Sequence, residues 1–199
     1  MITVVDYGAG NLQSVRNALE KLGVAHRISG DAGALAEASQ LMLPGVGHFG
    51  QMMRSLRQLG LRQPLCERIT AGVPFLGICL GLQALFEGSE EAADEDGLGL
   101  LRGSVRRFGE GERVPQMGWN RLEQTRPCRL LEGLEQRPFM YFANSYYAPA
   151  GEETAATCTY GVTFTAIIES GNISAVQFHP EKSGAAGLRM IANFAGLSC

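Results

Sequence analysis

The sequence predicts an α/β fold of three layers, a mostly parallel central sheet with helices on both faces plus a smaller antiparallel sheet in the second half. Three observations lead there. Short β-rich runs alternate with segments of helical period through the first half, short strand-like runs replace that alternation after Gly97, and a helical segment closes the chain. At 199 residues the simplest organisation is a single domain spanning 1–199, because a chain of this size buries roughly 70% of its unfolded surface around one core.

Ile2 to Asp6 is a short β-rich run, and Leu12, Val15, Leu19 and Leu22 then recur at helical spacing and stop at Gly23. A strand near Ala25 to Ile28, a small Ala-rich helix and the strand Leu41-Met42-Leu43 follow. Pro44-Gly45-Val46-Gly47 interrupts the pattern before a helix from about Phe49 to Leu59 and a further helical stretch. Val73-Pro74-Phe75-Leu76 is apolar and short enough for a buried strand, whereas Leu80 to Phe86 is rich in helix formers, which puts Cys79 at a strand-to-helix turn. A polar, acidic loop covers Gly88 to Gly97. Beyond it Phe139 to Tyr147 is strand-like, Thr163 to Glu169 joins Ile173 to Phe178 through Ser170-Gly171-Asn172 as a hairpin, and a closing helix lies near Ala185 to Phe194. The chain carries no internal repeat, low-complexity tract or domain linker.

Cys66, Cys79, Cys128, Cys158 and Cys199 include no C-x-x-C pair, so they signal neither a zinc site nor a redox dithiol and fit a reducing cytosol. No metal and no organic cofactor is expected. The first residues lack a basic region followed by a long apolar one, and no run approaches the ~18 apolar residues of a membrane span. The expectation is a soluble, unprocessed, cytoplasmic protein. A formal charge of −3 gives no general attraction to nucleic acid. Arg102, Arg106, Arg107, Arg113, Arg121 and Arg126 cluster mid-chain, as a solvated face or as a docking face for an acidic partner.

The chemistry concentrates in Gly77-Ile78-Cys79-Leu80-Gly81 and His179-Pro180-Glu181. A nucleophile pushed out of a sharp turn needs neighbours without Cβ atoms, which Gly77 and Gly81 supply. A thiol of ordinary pKa ~8.5 is mostly protonated at neutrality, and an imidazolium with a helix amino end would favour the thiolate. His179 can serve as that partner and then give its proton to a leaving amine, while Glu181 orients the ring. His48, next to the glycine loop, is the competing base but has no carboxylate close in sequence; His26 falls on a strand and reads as structural. The Pro44 to Gly47 loop is either a plain turn or a source of backbone N–H groups for an oxyanion, with the Leu80 N–H as second donor. Gly8-Ala9-Gly10 lacks the third glycine of a dinucleotide fingerprint, because Gln13 stands there.

Those two motifs resemble the class I, triad-type glutamine amidotransferases. Together with Asp6-Tyr7-Gly8-Ala9-Gly10-Asn11-Leu12, Leu43-Pro44-Gly45-Val46-Gly47, Pro115-Gln116-Met117-Gly118-Trp119-Asn120 and His179-Pro180-Glu181-Lys182-Ser183, they are similar to one branch of that family, the glutaminase subunits of imidazole glycerol phosphate synthases. The resemblance runs over essentially the whole chain and implies a flavodoxin-like fold. It further implies hydrolysis of L-glutamine to glutamate and ammonia through a Cys79 thioester. The ammonia would pass to a cyclase partner, a (β/α)₈ barrel, that makes imidazole glycerol phosphate and an aminoimidazole carboxamide ribotide in histidine biosynthesis. By position it puts Gln83, Glu91, Ser145 and Tyr146 around the glutamine, Gly47 at the oxyanion loop, and Trp119 and Lys182 at the cyclase interface. Asn144 stands where many relatives have a histidine, and it cannot titrate near neutrality. Because wasted ammonia is costly, the Gly45 to Gly47 loop is expected to complete the oxyanion hole only when partner and ligand bind. The alternatives are the glutaminase of another amidotransferase, a stand-alone cysteine peptidase or γ-glutamyl hydrolase, and a non-catalytic binding or regulatory subunit.

Overall fold

The computed structural model describes residues 1–196, and Cys199 lies outside the described residues. The first half alternates as expected: β1 (Ile2–Val5), α1 (Leu12–Lys21), β2 (His26–Ser29), α2 (Ala32–Ala36), β3 (Gln40–Gly45), α3 (Phe49–Gln58), α4 (Arg62–Thr70), β4 (Phe75–Cys79) and α5 (Leu80–Gln83). The second half supplies β5 (Gly88–Ser89), β6 (Ser104–Arg107), β7 (Gln116–Arg121), β8 (Glu123–Gln124), β9 (Phe139–Asn144), β10 (Tyr146–Tyr147), β11 (Thr154–Tyr160), β12 (Val162–Ser170), β13 (Ile173–Val176) and α6 (Gly184–Ala195).

Eight strands form one sheet in the order β2-β1-β3-β4-β13-β12-β11-β8. Neighbours from β2 to β13 are parallel, and β12, β11 and β8 extend the sheet antiparallel. Separate from it are the antiparallel ribbon β7–β9 and the small sheet β10-β6-β5. The inner parallel strands β1, β3, β4 and β13 are mostly apolar because both faces are covered, whereas the edge strand β2 is polar and half-buried. On β1, Ile2 and Val4 enter the cluster holding Val15, Leu19, Met190 and Ile191 of α1 and α6. Val5 enters the opposite cluster with Leu35, Met52, Leu56 and Leu65 of α2, α3 and α4.

Several boundaries differ from the sequence reading: the expected strand Phe139 to Tyr147 divides into β9 and β10 of different sheets, β4 runs on to Cys79, β13 ends at Val176, and two further differences near the Cys79 turn have a local reason. Pro44 and Gly45 do not break β3 but end it, paired with Ile78 and Cys79 of β4. On its other side β3 pairs with β1 only as far as Met42, so at Pro44 that side is an edge where a missing N–H removes no ladder bond. The helix after Cys79 stops at Gln83 rather than Phe86, since the chain tightens into bonds from Leu85 N–H to Leu82 O and Phe86 N–H to Gln83 O. The Ala84 and Leu85 carbonyls instead accept N–H groups of Leu98, Leu100 and Leu101. The mid-chain arginines do not make one face. Arg126 reaches into the Glu153, Thr154 and Glu169 carbonyls, whereas Arg121 stacks 4.7 Å over the Phe139 ring. Among the described residues, no helix is long and apolar enough to cross a membrane.

Candidate active site

Cys79 ends β4 and caps α5 with φ 54° and ψ −107°, the one non-glycine residue of positive φ among the described residues. Such strain persists only where the surroundings over-determine it. Three glycines do so here. A Cβ on Gly77 would lie 2.6 Å from the Gly81 carbonyl oxygen, one on Gly45 would lie 2.7 Å from the Leu80 Cβ, and one on Gly81 would strike the Leu43 carbonyl. Gly77 and Gly81 are legible from the motif, whereas Gly45 is required because β3 runs directly under the turn. At four residues α5 is too short to carry much of a macrodipole, so the nearest substantial positive charge to the sulfur is the imidazole.

That imidazole belongs to His179, just beyond β13, the strand that pairs in parallel with β4. Its Nδ1 lies 2.9 Å from Glu181 Oε1, and both side chains are buried. Burial by itself would lower the ring's pKa, but the hydrogen bond to and charge of the Cys79 sulfur, followed by those of Glu181, lift it to about 10. Both neighbours thus favour the protonated ring. Its backbone is fixed from both sides: the His179 N–H donates to the Tyr141 carbonyl at 2.9 Å, and the Ser183 hydroxyl donates to the His179 carbonyl at 2.6 Å while accepting the Tyr141 N–H at 3.0 Å. Burial pushes the Cys128 thiol up to about 12, the Cys158 thiol up to about 11, and the Cys66 thiol up from its usual value.

Cys79, Leu80 and His179 line a cavity of about 230 Å³ together with Gly47, Gln83, Glu91, Ser145, Tyr146, Asn144 and Lys182. The space is smaller than the ~300 Å³ at which sites for drug-sized ligands begin, and suits a single small metabolite. Gln83 is buried and spends both amide hydrogens inside the protein, on the Tyr146 carbonyl at 3.0 Å and the Gln177 Oε1 at 3.1 Å. Only its carbonyl oxygen is left for a ligand. Glu91 accepts the Phe49 N–H at 2.7 Å and so caps α3, with its other carboxylate oxygen uncommitted. Gly47 has φ +94° and open space where a Cβ would go. Asn144 donates to the Tyr146 carbonyl at 2.9 Å, and its Oδ1 is buried without a partner.

His48 is exposed, does not line this cavity, and accepts the Gly50 N–H with its Nδ1 at 3.2 Å as the cap of α3. His26 lies on β2 with its Nδ1 2.8 Å from the Val24 carbonyl. Trp119 is half exposed on β7, edge-on to Tyr141 at 6.0 Å. Register places Met117, Trp119 and Arg121 opposite Ala143, Tyr141 and Phe139, so one face of the ribbon presents Met117, Trp119 and Phe139 to solvent and reaches the cavity at Ala143. Exposed Lys182 borders the same opening.

Sequence reasoning missed Gln177, which is fully buried and directs its amide nitrogen to the Cys79 sulfur at 3.7 Å. The available signal was a lone carboxamide in the run Ile173 to Phe178, otherwise apolar but for Ser174. Ser183 was read only as part of a motif, and nothing in its spacing shows that it ties His179 to Tyr141.

Comparison with known proteins fits this geometry. A model of the glutamine amidotransferase class-I family matches residues 3–196, and the chain belongs to that family. The finer likeness is to proteins named imidazole glycerol phosphate synthase subunit HisH. The one from Methanothermobacter thermautotrophicus is 50% identical over 195 residues, covering 98% of this chain and 97% of that protein. That from Desulfitobacterium hafniense (strain Y51) is 46% identical over 196 residues, covering 98% and 93%. A solved structure described as a glutamine amidotransferase superposes with a TM-score of 0.77 at 23% identity, covering 99% of this chain and all of that one. PurLQS from Thermotoga maritima gives 0.76 at 19%, covering 98% of this chain and 97% of that one. Both agree in fold.

Proposed function

We propose that this chain is the glutaminase subunit of an imidazole glycerol phosphate synthase, acting in the cytoplasm as a heterodimer with a (β/α)₈ cyclase. The observation that carries the reading is geometric: Cys79 and His179 line one small cavity, and the His179 ring is held 2.9 Å from the Glu181 carboxylate.

The Cys79 thiolate adds to the side-chain amide carbon of glutamine, forming a C–S bond and an oxyanion that the Leu80 N–H and an N–H of the Val46–Gly47 segment receive. His179 gives its proton to the amide nitrogen, the C–N bond breaks, and ammonia leaves a γ-glutamyl thioester. The neutral ring then takes a proton from water, whose oxygen displaces the sulfur to give glutamate and restore the ion pair. Glu91, with one free carboxylate oxygen, suits the substrate ammonium, and groups at Ser145 and Tyr146 suit its carboxylate. The carbonyl oxygen of Gln83 adds an acceptor. The apolar ribbon face around Trp119, joined to the cavity mouth near Lys182, is the surface for the cyclase, which places the departing ammonia at the junction of the two chains.

The test is glutamine hydrolysis by the purified chain, alone and mixed with a barrel cyclase and its nucleotide substrate. Turnover coupled to imidazole glycerol phosphate formation supports the reading. Coupling to a different acceptor would indicate another amidotransferase, and retention of glutamine-dependent synthesis by Cys79→Ser would indicate a non-catalytic subunit.

A further inference from the structure

Three buried carboxamides, Asn144, Gln83 and Gln177, are joined in one hydrogen-bonded chain that ends on the nucleophile. Gln177 is the residue after β13, whose last rung pairs Val176 with Ile78, the residue before Cys79. Its backbone N–H donates to the Ala166 carbonyl at 2.9 Å, and its side-chain nitrogen lies 3.7 Å from the Cys79 sulfur. The direction of these bonds is dictated from one end. The Tyr146 backbone carbonyl can only accept, and it receives the amide groups of Asn144 at 2.9 Å and of Gln83 at 3.0 Å. Gln83 must therefore turn its NH₂ group inward, where its other hydrogen meets the Gln177 Oε1 at 3.1 Å. That leaves the Gln177 nitrogen facing the sulfur. A flipped Gln177 would set its NH₂ against that of Gln83, so a single backbone carbonyl fixes a donor on Cys79 two side chains away.

An N–H aimed at sulfur counts most while the sulfur carries charge, because hydrogen bonds to ionised acceptors are roughly twice as strong as neutral ones. In the reaction above the sulfur is anionic before attack, neutral in the thioester, and anionic again as water displaces it. His179 changes its own charge over that cycle. A carboxamide does not titrate near neutrality, so its N–H is on offer at both charged stages.

We propose that Gln177 is a catalytic residue of the glutaminase reaction read above, on which this inference rests: its amide N–H stabilises the Cys79 thiolate both as nucleophile and as leaving group. Gln83 is its positioning residue, since it presents one hydrogen to the Gln177 oxygen and keeps the nitrogen on the sulfur.

Gln177→Met keeps the length of the side chain and removes the donor. Alkylation of Cys79 by iodoacetamide in the chain alone, followed on the Cys79 peptide by mass spectrometry, should slow roughly 10- to 100-fold at neutral pH, the worth of one hydrogen bond to a charged group. The pH of half-maximal alkylation should move upward, because the anionic form has lost a stabilising partner. With cyclase and nucleotide, kcat should fall by a similar factor and by more than the glutamine KM changes. A side chain that merely fills the core would lower the denaturation midpoint and leave the pH profile in place; an unshifted profile in a folded variant overturns the proposal. A second measurement needs no variant. In the wild-type chain the side-chain amide proton resonances of Gln177 should move over the same pH range as the alkylation rate, and resonances flat across that range overturn the proposal as well. Should the wild type hydrolyse no glutamine even with its partner, the glutaminase reading fails and takes the catalytic role of Gln177 with it; an unaltered Gln177→Met beside an active wild type removes Gln177 alone.

Discussion

His179 and Glu181, separated only by Pro180, share a 2.9 Å bond between Nδ1 and Oε1, while the other carboxylate oxygen, Oε2, is buried with no partner at all. The carboxylate thus directs its charge at the ring and at nothing else. Glu181→Gln should lower kcat roughly 10²- to 10⁴-fold, the range seen when a triad acid loses its charge, with the glutamine KM little changed. Steady-state kinetics checks this, and an effect confined to KM would remove Glu181 from its role.

The pH dependence follows from the same ring. Burial opposes its charge, but Cys79 first and Glu181 second lift its pKa to about 10. A raised value favours the protonated form, so the proton is held through neutrality and given up only as pH climbs past that value. His179 should show no ring titration near its ordinary ~6.5, as read from its imidazole proton resonances. Cys79→Ala removes the largest lifting contribution, so the titration should move downward. A wild-type ring titrating near its ordinary value contradicts the ion pair.

Gly81→Ala tests the elbow. The added methyl would strike the Leu43 carbonyl, which belongs to a strand paired on β4 and has little freedom to retreat. A loss of about 1–3 kcal/mol or more is expected, read as a lower denaturation midpoint. Gly109→Ala is the control, because nothing lies within 4 Å of its added carbon, and it should stay within about 0.5 kcal/mol. Equal midpoints for the two variants would refute the crowding account.

Trp119→Ala bears on the partner surface. Its ring is half exposed and contacts Tyr141 edge-on, so truncation should leave the fold and the unstimulated glutaminase rate intact. Binding to the cyclase should weaken by at least ~10-fold, as for a central aromatic anchor. Calorimetric titration with unchanged affinity would place the interface elsewhere.

The alternation of β1 to α5 was legible because β1, β3 and β4 are short, mostly apolar runs and helices meet stops such as Gly23 after α1. The sharp turn at Cys79 and the closeness of His179 to Glu181 were legible as well, since the motif glycines and the single proline state local geometry directly. Less visible were β6, β7 and β11, whose alternation is carried by residues such as Arg106, Gly118 and Thr157 that look like loop chemistry until a partner strand is known. Gln177 and Ser183 were hidden for a related reason: each acts through a contact with a distant strand, and spacing along the chain does not encode it. The role of the acidic loop was also unreadable. Glu95 is buried against Arg54 and Arg57, which hold its carboxyl below the usual range, and the loop is thereby pinned to α3.

Because β4 and β13 are hydrogen-bonded neighbours whose register ends at Ile78 and Val176, Cys79 and His179 stand one and three residues beyond the same end of one ladder. The same strand pair thus fixes where both backbones leave the sheet. The exposed Gly47 loop, with its positive φ and open surroundings, is not held in this way. Regulation of this catalyst has accordingly one soft place to act, and a ligand or neighbour could throttle the rate there without ever disturbing the reacting pair.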